Sequence, residues 1–211
     1  MKKILFIFFL LIITRAYSQS SKDAKKILDD VSTKISSFKN ISFDFTYSLN
    51  NKEEQIKYET IGDVTVSGEK YKLNYLGSIQ LFDGEKIYTI IPENEEITIN
   101  AKDNENEITI NPSKLLTFYK SGYNYSLDIK QIHLDKSIQF IKLIPVDKNS
   151  DLNYLLLGID INTKNIFRLI EIGKNETVTT LTINNQRTNL KLEKSYFTIN
   201  LEDYPNYFIN N

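Results

Sequence analysis

From residue 41 onward the chain alternates between apolar and polar positions. ISFDFTYSLN (41 to 50) sets Ile41, Phe43, Phe45, Tyr47 and Leu49 on one side of an extended strand, and Ser42, Asp44, Thr46 and Ser48 on the other. The period of two recurs in QIKYETIGDVTVSG, KYKLNYL, SIQLF, KIYTII, EITIN, EITI, YSLDIKQIHL, IQFIKLIPV, YLLLGIDI, IFRLIEI, TVTTLTI and LKLEKSYFTI. Turn signals separate these runs: Asn50-Asn51, Ser67-Gly68, Asp83-Gly84, Pro92-Glu93-Asn94, Asp103-Asn104, Asn162-Thr163, Gly173-Lys174-Asn175 and Asn184-Asn185. Connections this short suit antiparallel neighbours, because parallel ones need long crossovers. The pattern predicts one large, strongly twisted antiparallel sheet.

Two segments break the period. SSKDAKKILDDVSTKISSFKN places Ala24, Ile27, Leu28, Val31, Ile35 and Phe38 at helical spacing, with Ser21 or Asp23 as N-cap. NPSKLLTFYKSGY offers Asn111 as a cap, Pro112 at the first helical position, then Leu115, Leu116 and Phe118 or Tyr119. A sheet of so many strands curls into a barrel or splits into a sandwich. A partly closed barrel has a concavity to fill, and these two helices are its obvious fillers. The aromatic faces Phe43, Phe45, Tyr47 and Tyr71, Leu73, Tyr75 are then either ordinary core or the lining of a cavity for an apolar guest.

The N-terminus reads differently. MKKILFIFFLLIITRAYSQ has a basic start, an apolar run from Ile4 to Ile13 and small residues approaching a cut, the pattern of a secretory signal peptide over residues 1–18. The apolar run is short of the roughly 20 residues that span a bilayer. Without a Cys behind it, no lipid can be attached to a thiol there. Removing Lys2, Lys3 and Arg15 leaves 23 of the 26 basic residues against 27 acidic ones, a net charge near −4. That balance argues against nucleic acid and anionic lipid headgroups as partners. Residues 19–211 are expected to form a single domain, exported, with no disulfides because the chain has no Cys.

Catalytic chemistry finds little purchase. His133 is the only histidine, and a partly exposed strand position with no duty is the expectation for it. With no Cys, the residues offer no thiol nucleophile, zinc site or imidazole-based triad, so neither metal nor cofactor is expected, and the chain is not expected to be an enzyme. The acidic runs Glu93 to Glu96 and DNENE (103 to 107) read as solvated hairpin turns.

The order of motifs resembles the outer-membrane lipoprotein carrier family, LolA. The likeness runs through DAKKILDDVSTKISSFKNISFDFTYSL, GDVTVSGEKYKLNY, LFDGEKIYTIIPENEEITI, NPSKLLTFYKSGYNYSLDI, FIKLIPVDKNSDLNYLLLGIDINTKNIFRLIEI and NQRTNLKLEKSYFTINLEDYP. The resemblance implies a mainly β fold with an α lid (α+β), a single unclosed, strongly curved antiparallel β-barrel with helices covering its concave face. It implies a periplasmic carrier that takes acylated lipoproteins from an inner-membrane ABC transporter and hands them to an acceptor at the outer membrane. The expected lining is Phe43, Phe45, Tyr47, Tyr71, Leu73, Tyr75, Leu115, Leu116 and Phe118, with Ile27, Leu28, Val31 and Ile35 as the helix face over the opening. A monomer without nucleic-acid partners is expected. The alternative is a lipid-binding sensor or interaction module of the cell envelope with the same shape. One departure is local: the turn before the second aromatic strand reads Ser67-Gly68-Glu69-Lys70, with Lys70 where studied members carry Arg.

Overall fold

The computed structural model describes residues 20–101 and 112–210. The expected signal peptide, the strand EITI and the Asn111 cap lie outside these residues. Among those described, strands dominate: β1 (Ile41–Asn51), β2 (Ile56–Ser67), β3 (Lys70–Tyr75), β4 (Ser78–Phe82), β5 (Lys86–Ile91), β6 (Glu96–Ala101), β7 (Tyr123–His133), β8 (Lys136–Pro145), β9 (Leu152–Asp160), β10 (Asn165–Gly173), β11 (Val178–Thr188) and β12 (Phe208–Asn210). They hydrogen-bond in the order β12-β6-β5-β4-β3-β2-β1-β11-β10-β9-β8-β7, so the sheet is not closed on itself by any pairing among the described residues.

Helix α1 occupies residues 20–36 and α2 only Pro112–Leu115, followed by a 3₁₀ turn at Phe118–Lys120. Helix α1 is already running at residue 20, so Ser21 and Asp23 lie inside it and neither is its N-cap. The mid-chain helix is shorter than its apolar spacing predicts.

Two compact units divide the chain. The first takes the described residues up to Lys34 together with Leu49–Lys57 and Tyr119–Leu181. Its strands are apolar on both sides: Ile141, Leu143, Leu155, Leu157 and Ile159 are buried on one face, and Ile138 and Phe140 of β8 cluster with Phe167 of β10 on the other. Runs such as YLLLGIDI read as near-continuous hydrophobic sequence for this reason. Helix α1 is held to this unit along its length. The Ser20 hydroxyl accepts from the Leu127 N–H of β7 at 3.0 Å, Asp30 pairs with Lys164 at 3.5 Å, and the Lys34 ammonium donates to the Thr163 carbonyl and the Asn165 side chain. Ala24, Leu28 and Val31 are the stripe it buries.

The second unit comprises the described residues of Ile35–Ser48, Tyr58–Phe118 and Thr182–Asn211. Two expectations are corrected in it. LKLEKSYFTI is not a strand: residues 190–200 run irregularly with a turn at 194–197. The Asn40 side chain latches its start, donating to the Leu190 carbonyl at 2.9 Å and accepting from the Leu190 N–H at 2.8 Å. Beyond the latch the segment lies on β2 and β3 through side chains. The Tyr196 hydroxyl is 3.1 Å from the Thr65 hydroxyl, itself bonded to Ser42, and the Lys72 ammonium lies over the Tyr196 ring at 5.5 Å. Alternation there marks an extended segment covering a face, not one joining a ladder. The chain end then adds β12 parallel to β6, pairing Phe208 with Glu96 and Ile209 with Ile97, so the sheet is not wholly antiparallel.

The pair Asn184-Asn185 is likewise no turn but lies within β11. Asn185 takes a left-handed φ of 45°, a conformation Asn tolerates better than most residues, and the strand continues through it.

Aromatic rings rest on bare backbone in the first unit. Gly158 of β9 pairs with Phe140 of β8, and a methyl group at Gly158 would lie 2.8 Å from the Phe140 ring and 3.2 Å from the Ile138 side chain. Both side chains are almost wholly buried and have no room to retreat. Gly158→Ala is expected to cost about 1–3 kcal/mol through overpacking. Urea unfolding of the variant checks this, with a lower midpoint at unchanged slope as the expected result.

Candidate functional site

The candidate site belongs to the second unit and begins with Gly62. This glycine of β2 pairs with Tyr75 of β3, while Phe45 comes from β1 on the other side of β2. Strands two apart in a sheet are separated by roughly 9–10 Å, too far for most side chains to meet over an intervening one. Here nothing intervenes. A Cβ on Gly62 would lie 2.4 Å from the Phe45 ring and 2.6 Å from the Asn74 carbonyl, so the ring occupies the space a side chain would take. Phe45 therefore reaches Tyr75, ring centres 5.9 Å apart, and Tyr47 meets the same tyrosine edge-on at 5.7 Å. Phe43 continues the row, 6.5 Å from Phe45. Such ring pairs add about 0.5–1.5 kcal/mol each beyond the area they bury.

Beside this cluster lies an open groove of about 840 Å³, within the range of roughly 300–1,000 Å³ typical of ligand sites. Phe45, Ile61, Tyr75, Leu76 and Ile79 supply its apolar surface; Asp44, Asp63, Asn74, Asn184 and Asn185 supply the polar one. Ile61 is 77% exposed and Leu76 58%, so the apolar part is open to solvent. The polar groups are mostly paired with one another. Asp44 accepts from Arg187 at 3.0 Å and from Asn185 at 2.9 Å, and Asp63 accepts from Asn74 at 2.8 Å. Arg187 and Asp44 are both well exposed, so their ion pair contributes little to stability.

The sequence-derived lining divides. Phe45 and Tyr75 border the groove, and Tyr47 joins them through its ring contact. Phe45 itself is buried, 6% exposed, as are Phe43, Tyr71 and Leu73, Tyr71 with its hydroxyl on Gln80 at 3.0 Å and its ring 5.8 Å from Phe82. Leu116 is buried, Leu115 and Phe118 are half-buried, and α2 lies against β3. Leu28 and Val31 are buried and Ile27 and Ile35 half-buried on α1. Lys70 is exposed beside Asp83. Burial opposes the charge on the Asp83 carboxylate, but the N–H groups of Lys86 and Glu85, the Tyr88 hydroxyl and the Lys70 ammonium outweigh it and hold the carboxyl below its ordinary value. His133, on β7 of the first unit, has its ring 5.1 Å from Phe167.

Ile61, Leu76, Ile79, Asp63 and Asn74 are not expected site residues from the sequence, and Asn184-Asn185 is expected only as a turn. They come from β2, the β3–β4 hairpin and β11, which no single periodicity groups. The one available signal was Leu76-Gly77, a turn dipeptide with φ of 53° and 72° that puts a leucine where a polar residue is usual. Among the described residues no helix is long and apolar enough to cross a membrane, and no group of three or more His, Asp or Glu is placed to hold a metal ion.

No protein-family profile matches the chain, and no curated protein matches it. Solved structures do. An uncharacterized conserved protein from Thermus thermophilus superposes with a TM-score of 0.58 at 10% identity, over 89% of this chain and 98% of its own. LprF from Mycobacterium bovis gives 0.51 at 13% identity, over 82% and 96%. A LolA superfamily protein from Nitrosomonas europaea gives 0.43 at 11%, over 83% and 97%. At these identities the likeness is one of fold alone, and in fold the chain is LolA-like, as its motif order implied.

Burial first, then the neighbouring Tyr47 and Tyr58 phenols, push the Tyr75 hydroxyl up to about 12 from an ordinary value of 10.0. The folded state thus holds this proton more tightly than the unfolded chain. The resulting stability is fully present below pH 10 and is lost as the pH climbs from 10 towards 12. Tyr75→Phe should therefore lose less stability than the natural protein over that interval, measured by urea unfolding at a series of alkaline pH values.

Proposed function

We propose that this protein is a carrier of lipoproteins in the periplasm, without catalytic activity. It binds the acyl chains of lipoproteins released from the inner membrane by an ABC transporter and passes them to the outer membrane. The observation that carries this reading is the open groove bordered by Phe45, Tyr75, Ile61, Leu76 and Ile79 in a fold of LolA type. Acyl chains are worth about 0.8 kcal/mol for each CH₂ buried, so a lipoprotein cannot cross water without a cover. The solvent-exposed state of Ile61 and Leu76 gives the groove apolar area ready to be covered by such a guest.

Release has to be possible too. An open groove shields a chain on one side only, which keeps the net gain below that of full burial and lets an acceptor compete. The remaining lining residues, Phe43, Tyr71, Leu73, Leu115, Leu116 and Phe118, join the site in this reading if α2 lifts from β3. Each exchanges one apolar contact for another, so the opening costs little while cargo is bound.

A second reading is favoured by the polar half of the same groove. Asp44, Asp63, Asn74, Asn184 and Asn185 offer carboxylate and amide groups that suit a peptide better than a hydrocarbon chain. On that reading the protein is an interaction module of the cell envelope, whose partner is a polypeptide and whose lipid occupancy regulates the encounter.

One experiment separates them. The protein is incubated with membranes carrying radiolabelled lipoprotein and the matching transporter, and the soluble fraction is fractionated by size. The carrier reading expects a one-to-one soluble complex, reduced about tenfold or more by Ile61→Glu, because Ile61 is 77% exposed in the groove and a carboxylate there would be buried against the acyl chain at a cost of several kcal/mol while leaving the fold intact. A folded protein that never solubilises lipoprotein rules the carrier reading out.

A further inference from the structure

We propose that the β7–β8 hairpin is a membrane-touching tip whose ligand is a phospholipid surface. His133 pairs with Lys136, leaving Leu134 and Asp135 as a two-residue turn with φ of 45° and 63°. Both central residues are left-handed, the type I′ geometry that Asn-Gly fills without strain and that a leucine fills badly. The fold gains nothing from leucine here. Its side chain buries no core, being 82% exposed, and Ile132 beside it is also 82% exposed, with Ile129 at 59% further down the same strand. A strained backbone position and two nearly bare aliphatic side chains at one apex are both unfavourable in water. A ligand that accepts the apex accounts for them together.

The base of the hairpin is rigid. The His133 ring lies 5.1 Å from Phe167, the Lys136 ammonium 5.5 Å from the centre of the same ring, and Ile138 and Phe140 are buried in the cluster beneath. The apex is therefore presented by a braced element.

The size and chemistry of the apex select its occupant. Specific protein interfaces bury about 1,200–2,000 Å² in total, which two aliphatic side chains at a turn cannot supply. A bilayer interface needs no matching surface, only apolar side chains that reach below the headgroups and cations that stay among them. Exposed Lys130 and Lys136 flank Ile132 and Leu134 on the two strands and outnumber the one exposed carboxylate of the turn, Asp135. Two such side chains give a weak and reversible contact, not an anchor. The tip belongs to the first unit and does not depend on what the groove binds.

The test uses lipoprotein-free vesicles of phosphatidylethanolamine and phosphatidylglycerol and measures co-sedimentation of the full protein. Leu134→Asn should relieve the turn and raise the melting temperature while weakening vesicle binding about tenfold. Ile132→Asn should weaken binding similarly with stability unchanged. The chain has no Trp, so Leu134→Trp places a single reporter at the apex, and its emission should shift to the blue when vesicles are added. Binding by Leu134→Asn and Ile132→Asn equal to that of the natural protein, or a Trp emission indifferent to vesicles, would overturn the proposal. So would a concentration-dependent dimer abolished by Leu134→Asn, since that would make the tip a protein contact.

Discussion

The Phe45 ring resting on the backbone of Gly62 is the contact on which the second unit's site is built. Because β2 has no side chain at that point, β1 and β3 communicate directly through their rings, and Tyr75 is drawn towards Phe45 and Tyr47. That cluster borders the groove, beside which Ile61 and Leu76 lie open to solvent and Ile79 is half-buried. The first unit uses the same device with Phe140 over Gly158, but there the surroundings close and the result is core. One local arrangement thus recurs in both units, and in both the ring itself is buried, Phe45 at 6% exposure and Phe140 at 2%; the second unit differs in leaving Ile61 and Leu76 nearby open to solvent.

Coverage is the wider constraint. A broad sheet exposes two faces, and among the described residues there is one substantial helix to lay on them. Helix α1 is committed to the first unit by Ser20, Asp30 and Lys34, and its buried stripe of Ala24, Leu28 and Val31 is spent there. In the second unit the irregular segment after Asn189 takes over the covering role, with Tyr196 bonded into the Thr65–Ser42 pair. A thin cover of this kind leaves apolar area open, and the groove is an instance of it.

Apolar surface left open to water carries a free-energy cost, and the same cost is the driving force for binding. A carrier needs that cost to be moderate, since a site too well satisfied empty would not load and one too greedy would not release. The mixed character of the groove, with Asp44 and Asp63 already bonded to Asn185 and Asn74, fits that requirement. Those polar groups already have hydrogen-bond partners, so on the proposed reading the apolar half would set the affinity.

Alternation along β1 and β3 is enough to mark strands and their buried sides, because a strand with one face in water writes its period directly into the sequence. The α1 stripe was legible for the same reason. Long-range choices were not. Nothing local distinguishes LKLEKSYFTI from a strand; Asn40, some 150 positions away, decides by taking the Leu190 backbone for itself. The Asn184-Asn185 pair reads as a turn because both residues tolerate left-handed backbone, yet Thr46 and Asp44 hold their side chains and the strand carries on. That β12 would run parallel to β6, and that Phe45 would meet Tyr75 across a glycine, are likewise settled only when segments far apart in the chain are brought side by side. Sequence determines which way each side chain faces along its own strand; tertiary structure decides what, if anything, stands opposite.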